Sequence, residues 1–177
     1  MPTIESSPER ANAAAALFEE AIAWLRSSYS GFHFFTERDV VWTFQLRLQE
    51  LVETRADRRW TVFNDHTVAN RRRTDLALVA EDQTIDLAAE FKYEPAHSRS
   101  DIVSTKFPVC FWDDQGIAKD VDRAREYVTD GSAAIAYAVL VDEGGHFRHR
   151  EPPPGSRWID WPEADGVSVL CARFPVR

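Results

Sequence analysis

Cysteine is scarce in this chain of 177 residues, since Cys110 and Cys171 are the only two and no CxxC spacing occurs. This scarcity argues against a disulfide-stapled scaffold and against a zinc site built on paired cysteines. No apolar run approaches the length that spans a bilayer, and the N-terminus lacks the charged-then-apolar pattern of an export signal. We therefore expect a reduced, cytoplasmic protein with no membrane association.

Several familiar catalytic motifs are absent as well. The chain has no G-x-S-x-G, no Walker A motif and no dinucleotide-binding fingerprint. Its five histidines are scattered, and His146 and His149 lie beside glycines in a predicted turn, so we expect surface histidines rather than metal ligands. Basic residues are also few, with 21 Lys and Arg against 29 Asp and Glu. The resulting net charge of −8 opposes long-range attraction to nucleic acid.

The most informative segment is 75–92, which predicts a two-stranded hairpin. Residues 76–80 are apolar, 85–89 alternate, and 81–84 are polar and turn-like. With a two-residue turn at Asp82-Gln83, the numbers of paired residues add up to 165, and Asp75 lies directly opposite Glu90. Strand side chains alternate between faces, so Lys92 shares the face of Asp75 and Glu90. The other face takes Ile85, Leu87, Ala89 and Phe91.

A helix over 37–54 is predicted upstream of this hairpin. Thr36 is a good N-cap, and Asp39 makes a shortened capping box with it. Glu37 begins an apolar stripe at helical spacing, so it is expected to point toward the sheet. The stripe consists of Val41, Phe44, Leu48 and Leu51. Alternatively, Glu37 merely opposes the helix dipole in the first turn.

An Asp on one strand followed by Glu-x-Lys on the next resembles the signature of the PD-(D/E)XK nuclease superfamily, the restriction-endonuclease-like phosphodiesterases. The matching residues are Asp75 and Glu90-Phe91-Lys92, and Thr74 stands where the superfamily often has proline. A Glu near the start of the first core helix often completes the metal site in this superfamily, and Glu37 matches that position. The resemblance implies metal-dependent phosphodiester hydrolysis of nucleic acid, with DNA as the expected substrate.

Magnesium, or manganese in its place, is the cofactor that the resemblance implies. Magnesium prefers oxygen ligands, and by resemblance these would be Asp75, Glu90, the carbonyl of Phe91 and Glu37, the last directly or through water. Lys92 would hold the attacking water and offset charge on the transition state, and burial is expected to lower its own pKa. Alternatively, Glu90 and Lys92 simply neutralise each other on an exposed strand face.

The order of predicted elements fits one domain over 1–177 with a core at about 36–142. The resemblance implies an α/β fold with a restriction-endonuclease-like αβββαβ core, in which helices flank a mixed sheet. An N-terminal accessory helix and a C-terminal strand would be added to it. The predicted elements are a helix from Ser7 to before Gly31, the helix 37–54, strands at Trp60–Val68, from Thr74 and through Tyr93, a short strand or ordered loop at Lys106–Trp112, a helix at Ile117–Thr129, and strands at Ala133–Val141 and 167–173.

Two sets of basic residues are candidates for binding nucleic acid. The first crowds the segment before Thr74 and comprises Arg55, Arg58, Arg59, Arg71, Arg72 and Arg73. These arginines would form a local basic patch, or they are solvated and balance neighbouring acids. The second is Arg123, which shares a helix face with Lys119 and Tyr127 and takes a position where some superfamily members have Gln. Ordinary helix patterning instead favours a solvent-facing, salt-bridged side.

Three functional classes are consistent with the sequence. The first is a magnesium-dependent nuclease that acts on DNA. The second is a catalytically silent module of the same fold, such as a subunit of a nucleic-acid-processing or defence complex, which the acidic surface and the modest size of the chain favour. Besides nucleic acid, the expected partner is a basic protein or a second copy of the chain. The third is an unrelated α/β protein in which the motif is a coincidence. Intact acid, acid and lysine positions favour the first class.

Overall fold

The computed structural model describes residues 7–55, 59–68, 72–102, 107–162, 164 and 166–175. These residues form an α/β fold with three α-helices and six strands. The elements are α1 (Ser7–Ser28) with a 3₁₀ turn (Tyr29–Gly31), α2 (Glu37–Arg55), β1 (Trp60–Thr67), β2 (Arg73–Ala80), β3 (Ile85–Glu94), α3 (Ile117–Thr129), β4 (Ile135–Glu143), β5 (Ser156–Asp160) and β6 (Val167–Pro175). Within 107–112 the chain is a loop rather than a strand, and the short strand β5 was not predicted.

The strands form one mixed sheet in the order β1-β2-β3-β4-β6-β5. All neighbours are antiparallel except β3 and β4, which are parallel and are connected through α3. A parallel pair requires such a crossover, whereas antiparallel neighbours need only a turn. The predicted mixed α/β sheet is therefore confirmed, and β3 lies in its interior with a neighbour on each side.

Helices cover the sheet on both faces. The α1–α2 face is built on aromatic contacts, with the ring of Phe44 4.9 Å from that of Phe18 and 5.2 Å from that of Phe91 on β3. The predicted stripe of α2 is buried in this cluster. On the opposite face, Val121, Ala124 and Tyr127 of α3 pack against the small residues of β3 and β4. Strands buried on both faces read as continuous apolar runs, which is how β4 appears in the sequence.

The start of α2 follows the predicted capping arrangement. The carboxylate of Asp39 accepts hydrogen bonds from the backbone N–H of Thr36 at 2.8 Å and of Phe35 at 3.0 Å. Amides that precede the first turn would otherwise lack partners inside the helix. These bonds fix the direction in which the chain enters α2, and therefore the place of Glu37.

The predicted hairpin register is confirmed over part of β2 and β3 only. Leu76 pairs with Ala89 and Leu78 with Leu87, as the sum of 165 requires, but Val79 pairs with Ile85. The turn is one residue longer than predicted. The backbone N–H of Ala80 donates to the carbonyl of Thr84, and three residues lie between them. A bulge between Leu78 and Val79 restores the register. The bulge also places Ile85 on the α3 face of the sheet. The prediction that Ile85 shares the opposite face with Leu87, Ala89 and Phe91 was therefore wrong.

The bulge brings a buried carboxylate to the α1–α2 face. Asp86 is 1% exposed, and its Oδ2 accepts hydrogen bonds from Trp60 Nε1 at 2.7 Å and from Arg10 Nε at 2.5 Å. A buried carboxylate requires such partners, because removal from water penalises its charge. Asp86 thus connects α1 and β1 to the start of β3.

We expect Asp86→Ala to lower the free energy of unfolding by about 2–4 kcal/mol, because the indole N–H and the guanidinium would lose a buried acceptor. Urea denaturation would measure the loss. Asp82→Ala is the matched control, since Asp82 pairs with the same Arg10 but is exposed, and it should change stability little. Equal effects of the two substitutions would contradict the role assigned to Asp86.

Candidate active site

Asp75 and Glu90 lie on adjacent antiparallel strands, as predicted. The ladder of β2 and β3 extends to the pair Leu76–Ala89, whose side chains face α1 and α2, so the next position places Asp75 and Glu90 on the α3 face. One carboxylate oxygen of Asp75 accepts the backbone N–H of Phe91 at 2.7 Å. Thr74, which precedes Asp75, donates its hydroxyl to the carbonyl of Ala89 at 2.8 Å. The side chains of Asp75 and Thr74 thus continue the hydrogen bonding between β2 and β3 beyond the backbone pair Leu76–Ala89.

Glu90 is 2% exposed, and two side chains from α3 contact its carboxylate. The hydroxyl of Tyr127 donates to Glu90 Oε1 at 2.6 Å, and Arg123 Nη1 lies 3.2 Å from Oε2. Arg123 is thus salt-bridged, as expected, but it and the buried Tyr127 face the sheet, so the expectation that this side of α3 faces solvent was wrong. Lys119, one turn before Arg123, is exposed. The apolar residues Ile117, Val121 and Ala124 turn this side of α3 toward the sheet.

Lys92 pairs with residues from two helices. Its Nζ lies 3.0 Å from Glu37 Oε2 and 3.2 Å from Asp120 Oδ2, and it donates to the carbonyl of Phe91 at 3.0 Å. The prediction that Glu37 points toward the sheet is thus confirmed. Among the described contacts Lys92 pairs with these acids rather than with Glu90. Asp75, Glu90, Lys92, Glu37 and the Phe91 carbonyl thus lie in one connected region.

Asp120 is a site residue that the sequence analysis missed. It is 6% exposed, and within the described structure its Oδ2 makes no hydrogen bond that satisfies the usual geometry, although Lys92 Nζ is within ion-pair distance. A signal was present in the sequence, because Asp120 lies between Ile117 and Val121 and one turn before Ala124, on the apolar side of α3. A carboxylate on the apolar side of a helix has to find a partner in the interior.

The site raises the pKa of its carboxyl groups. Burial, with the neighbouring charge of Asp75 second, raises the pKa of Glu90 to about 8, although Tyr127 and Arg123 act in the opposite direction. Burial likewise raises the pKa of Asp75 and of Glu37. Repulsion between the carboxylates of Asp75 and Glu90 is therefore part of the site.

The pKa of Lys92 does not follow the prediction. Burial acts to lower it, but the charges of Glu37 and Asp120 outweigh burial and raise the pKa above its ordinary value. Lys92 is therefore held as an ammonium ion. As such it can donate hydrogen bonds and neutralise negative charge, but it cannot act as a base at neutral pH.

The other predicted basic residues mostly pair with acids. Arg72 contacts Glu126 and Asp130, and Arg73 lies 2.8 Å from Asp65. Arg55 lies 2.5 Å from Glu20. Arg58 and Arg71 lie outside the described residues. For the three arginines with described pairs, the contacts favour the interpretation that they balance neighbouring acids.

A cleft of about 630 Å³ opens next to this region. Glu37 and Lys92 form part of its lining, so the cleft and the charged cluster are continuous. The remaining lining is mainly apolar and includes Phe35, Tyr93, Pro95, Ile102, Val109 and Phe111. Clefts of this size with a few polar groups at one end are typical ligand-binding sites.

Comparison of the chain with protein-family models, with curated proteins and with solved structures finds no match. Over the residues that the structure describes, no three Asp, Glu, His or Cys side chains are arranged to hold a metal ion. None of the described helices combines the length and apolar character needed to cross a membrane.

We expect the stability of the protein in chelator to depend on pH through Glu90. The folded protein holds the proton on Glu90 up to pH about 8, whereas the unfolded chain releases it near pH 4.5. The folded state then binds more protons between these values, so the free energy of unfolding falls as pH rises from about 4.5 to 8. Relative to Glu90→Gln, the wild-type protein should lose on the order of 5 kcal/mol over this range. Urea denaturation at several pH values would measure it, and parallel curves for the two proteins would contradict the assignment.

Proposed function

We propose that this protein is a metal-dependent phosphodiesterase of the PD-(D/E)XK type that hydrolyses nucleic acid, with DNA as the substrate. The observation that carries the proposal is the common location of Asp75, Glu90, Lys92 and Glu37. These residues come from two strands and a helix, and the sequence signature required them to meet. Chance occurrence of the motif does not require such a meeting.

The topology supports the same proposal. Without α1, the elements run α2, β1, β2, β3, α3, β4, which is the αβββαβ order that the resemblance implies. The pairing of β3 with β4 is parallel, and the connecting helix α3 packs over the face that carries the charged cluster. In this arrangement α1 is the accessory helix, and β6 is the added C-terminal strand.

The charge and the types of donor atom in the cluster suit a divalent cation, although in the described structure the acidic side chains are not arranged around a common point. Within the part of the chain that the structure describes, four carboxyl groups, those of Glu37, Asp75, Glu90 and Asp120, lie near two cations, Lys92 and Arg123. When all four are ionised the cluster carries two excess negative charges, and one buried oxygen of Asp120 has no hydrogen bond. Magnesium and manganese both accept carboxylate and carbonyl oxygen ligands.

Asp75, Glu90 and the carbonyl of Phe91 would hold the cation, with Glu37 directly or through water. When bound, it would polarise the scissile phosphate and lower the pKa of a coordinated water. Lys92, held as an ammonium ion, would donate a hydrogen bond to the attacking water and neutralise charge that develops on the phosphate. Glu90 would have to give up its proton to act as a ligand, so cation binding and deprotonation should be linked.

Arg123 and Tyr127 would position Glu90 and its neighbourhood. Tyr127 donates to one oxygen of Glu90, while Arg123 pairs with the other. The Arg123 side chain is partly exposed, so it could leave Glu90 for a substrate phosphate once a cation balances the carboxylate. Its part in nucleic-acid binding would then be at the reaction centre rather than on a remote surface.

A second candidate function is a catalytically silent module of the same fold. It is favoured by the pairing of Arg123 with Glu90 and of Lys92 with Glu37, which offsets part of the negative charge of the cluster from within the protein. The ion pairs of Arg72 and Arg73 also reduce the basic surface on offer to a nucleic acid. In that case a basic partner would supply the phosphate contacts, and the purified protein alone would bind DNA negligibly at physiological salt.

Cleavage of DNA is the direct test. We expect wild-type protein to cleave with magnesium or manganese and to be inactive in chelator, and Asp75→Asn, Glu90→Gln and Lys92→Ala each to lower turnover at least about 100-fold. Because the residues would act as a unit, the triple variant should be little worse than each single one.

Matched controls are available for the cleavage test. Glu81→Gln and Lys119→Ala change the same residue types at exposed positions and should retain activity. Glu90→Gln should fold, since the raised pKa of Glu90 already favours a neutral group at this place. Activity that survives Glu90→Gln in clean protein would place the reaction elsewhere.

Cation binding can be measured without activity. A cation that binds only the folded protein raises the melting temperature, and saturation at about 100 times Kd corresponds to about 2.7 kcal/mol. We expect manganese to stabilise wild-type protein and Glu81→Gln equally, and to stabilise Asp75→Asn much less. A melting temperature of wild-type protein that does not respond to magnesium or manganese would favour the silent module.

A further inference from the structure

The apolar cleft begins where the charged cluster ends. Glu37 and Lys92 belong to both, so a ligand group bound at Lys92 would have its neighbouring atoms inside the cleft. Phe35 and Val109 lie on the cleft and are 47% and 46% exposed. Exposed large apolar side chains in the lining of a cleft are typical of a binding surface.

One wall of the cleft is fixed by the cap of α2. The backbone N–H of Phe35 donates to Asp39 at 3.0 Å, so the residue is tied to the first turn of the helix. The ring contacts His33 edge-on, with 5.0 Å between centroids, and the guanidinium carbon of Arg99 lies 5.6 Å from its centroid. Phe35 is therefore an aromatic surface on a well-held backbone rather than on a free loop.

A second wall of the cleft is fixed by a buried acid on β3. Glu94 is 0% exposed, and its carboxylate accepts the backbone N–H of Val109 at 3.0 Å and of Cys110 at 2.7 Å. Gly116 closes this wall, since a Cβ there would lie 1.9 Å from the carbonyl oxygen of Phe111. The two walls are thus preformed, which reduces the entropy lost when a ligand binds.

We infer that the cleft binds an unstacked nucleobase of single-stranded nucleic acid, next to the phosphate held at Lys92. The inference rests on the proposed function, because it takes the phosphate to lie at the charged cluster. A nucleobase matches both parts of the cleft. Its flat apolar face can stack on the ring of Phe35, and it is covalently connected to a phosphate that can bind at Lys92. The volume of about 630 Å³ has room for a nucleotide.

The charge of the chain favours a single strand over a duplex. Net charge is −8, and each further phosphate drawn near the surface adds repulsion. A duplex brings two backbones and keeps its bases stacked inside, so it could not fill the cleft unless a base were flipped out. A single strand brings one backbone, and its bases are free to stack on protein aromatics.

The test measures binding in chelator, where cleavage plays no part. A single-stranded oligonucleotide that carries 2-aminopurine would report base stacking by fluorescence, and anisotropy would compare its affinity with that of the same sequence as a duplex. We expect tighter binding of the single strand and a loss of about 5- to 150-fold in Phe35→Ala. Phe35→Trp should retain affinity, and Phe63→Ala, which removes an exposed phenylalanine that does not line the cleft, should not change it.

An oligonucleotide with one abasic position provides a second measurement on unaltered protein. It should lose affinity by a similar factor when the missing base is the one that enters the cleft. Equal or tighter binding of duplex, absence of binding to either form, or affinity unaffected by Phe35→Ala would overturn the inference. So would an apolar dye bound in the cleft that single-stranded DNA fails to displace, since this would indicate an apolar partner.

The outcome can be separated from that of the proposed function. Magnesium-dependent cleavage of duplex that is lost in Glu90→Gln but unaffected by Phe35→Ala would leave the nuclease proposal intact and remove the base-binding cleft. Conversely, stacking of 2-aminopurine that depends on Phe35, in a protein that neither cleaves nor responds to a divalent cation, would support the cleft and refute the nuclease.

Discussion

The burial of charged side chains along β3 is the constraint on which the rest of the site depends. Glu90, Lys92 and Glu94 follow each other at every second residue, so strand alternation directs all three to one face of an interior strand. None can remain charged there without partners, because removal from water penalises an isolated ion severely. α3 supplies partners for Glu90, α2 and α3 supply carboxylates for Lys92, and the backbone of 109–110 satisfies Glu94. The positions of α2, α3 and the loop 109–110 are therefore set by the need to provide partners for Glu90, Lys92 and Glu94.

The parts of the fold that local patterns determine could be predicted from the sequence. The bounds of α3, the capping of α2 and the register of Leu76 with Ala89 all follow from periodicity and from short-range hydrogen bonds. The bulge before Val79 could not be predicted, since it depends on how β2 and β3 accommodate Asp86 beside Trp60 and Arg10. Long-range pairing of this kind leaves no periodic trace in a single segment.

The same distinction applies to the site. Strand alternation placed Asp75, Glu90 and Lys92 correctly on one face, and the apolar stripe of α2 indicated that Glu37 points toward them. The side of α3 that meets the site was assigned wrongly, because spacing by four residues describes a surface salt bridge and an inward-facing pair equally well. Asp120 and Glu94 were overlooked for a related reason: a single acid in an apolar pattern is conspicuous only when its surroundings are known to be buried.

The parallel pairing of β3 with β4 has a consequence for biosynthesis. Glu90 is paired with Ala138, so the strand that carries the site lacks one neighbour until at least 48 further residues have left the ribosome. During that interval an apolar strand has an unpaired edge, and such edges are where nascent chains associate wrongly. The charges on β3 then have a second effect, since Glu90, Lys92 and Glu94 discourage pairing with a foreign strand before α3 and β4 arrive. Residues that serve the site in the folded protein thereby protect the chain while it is being made.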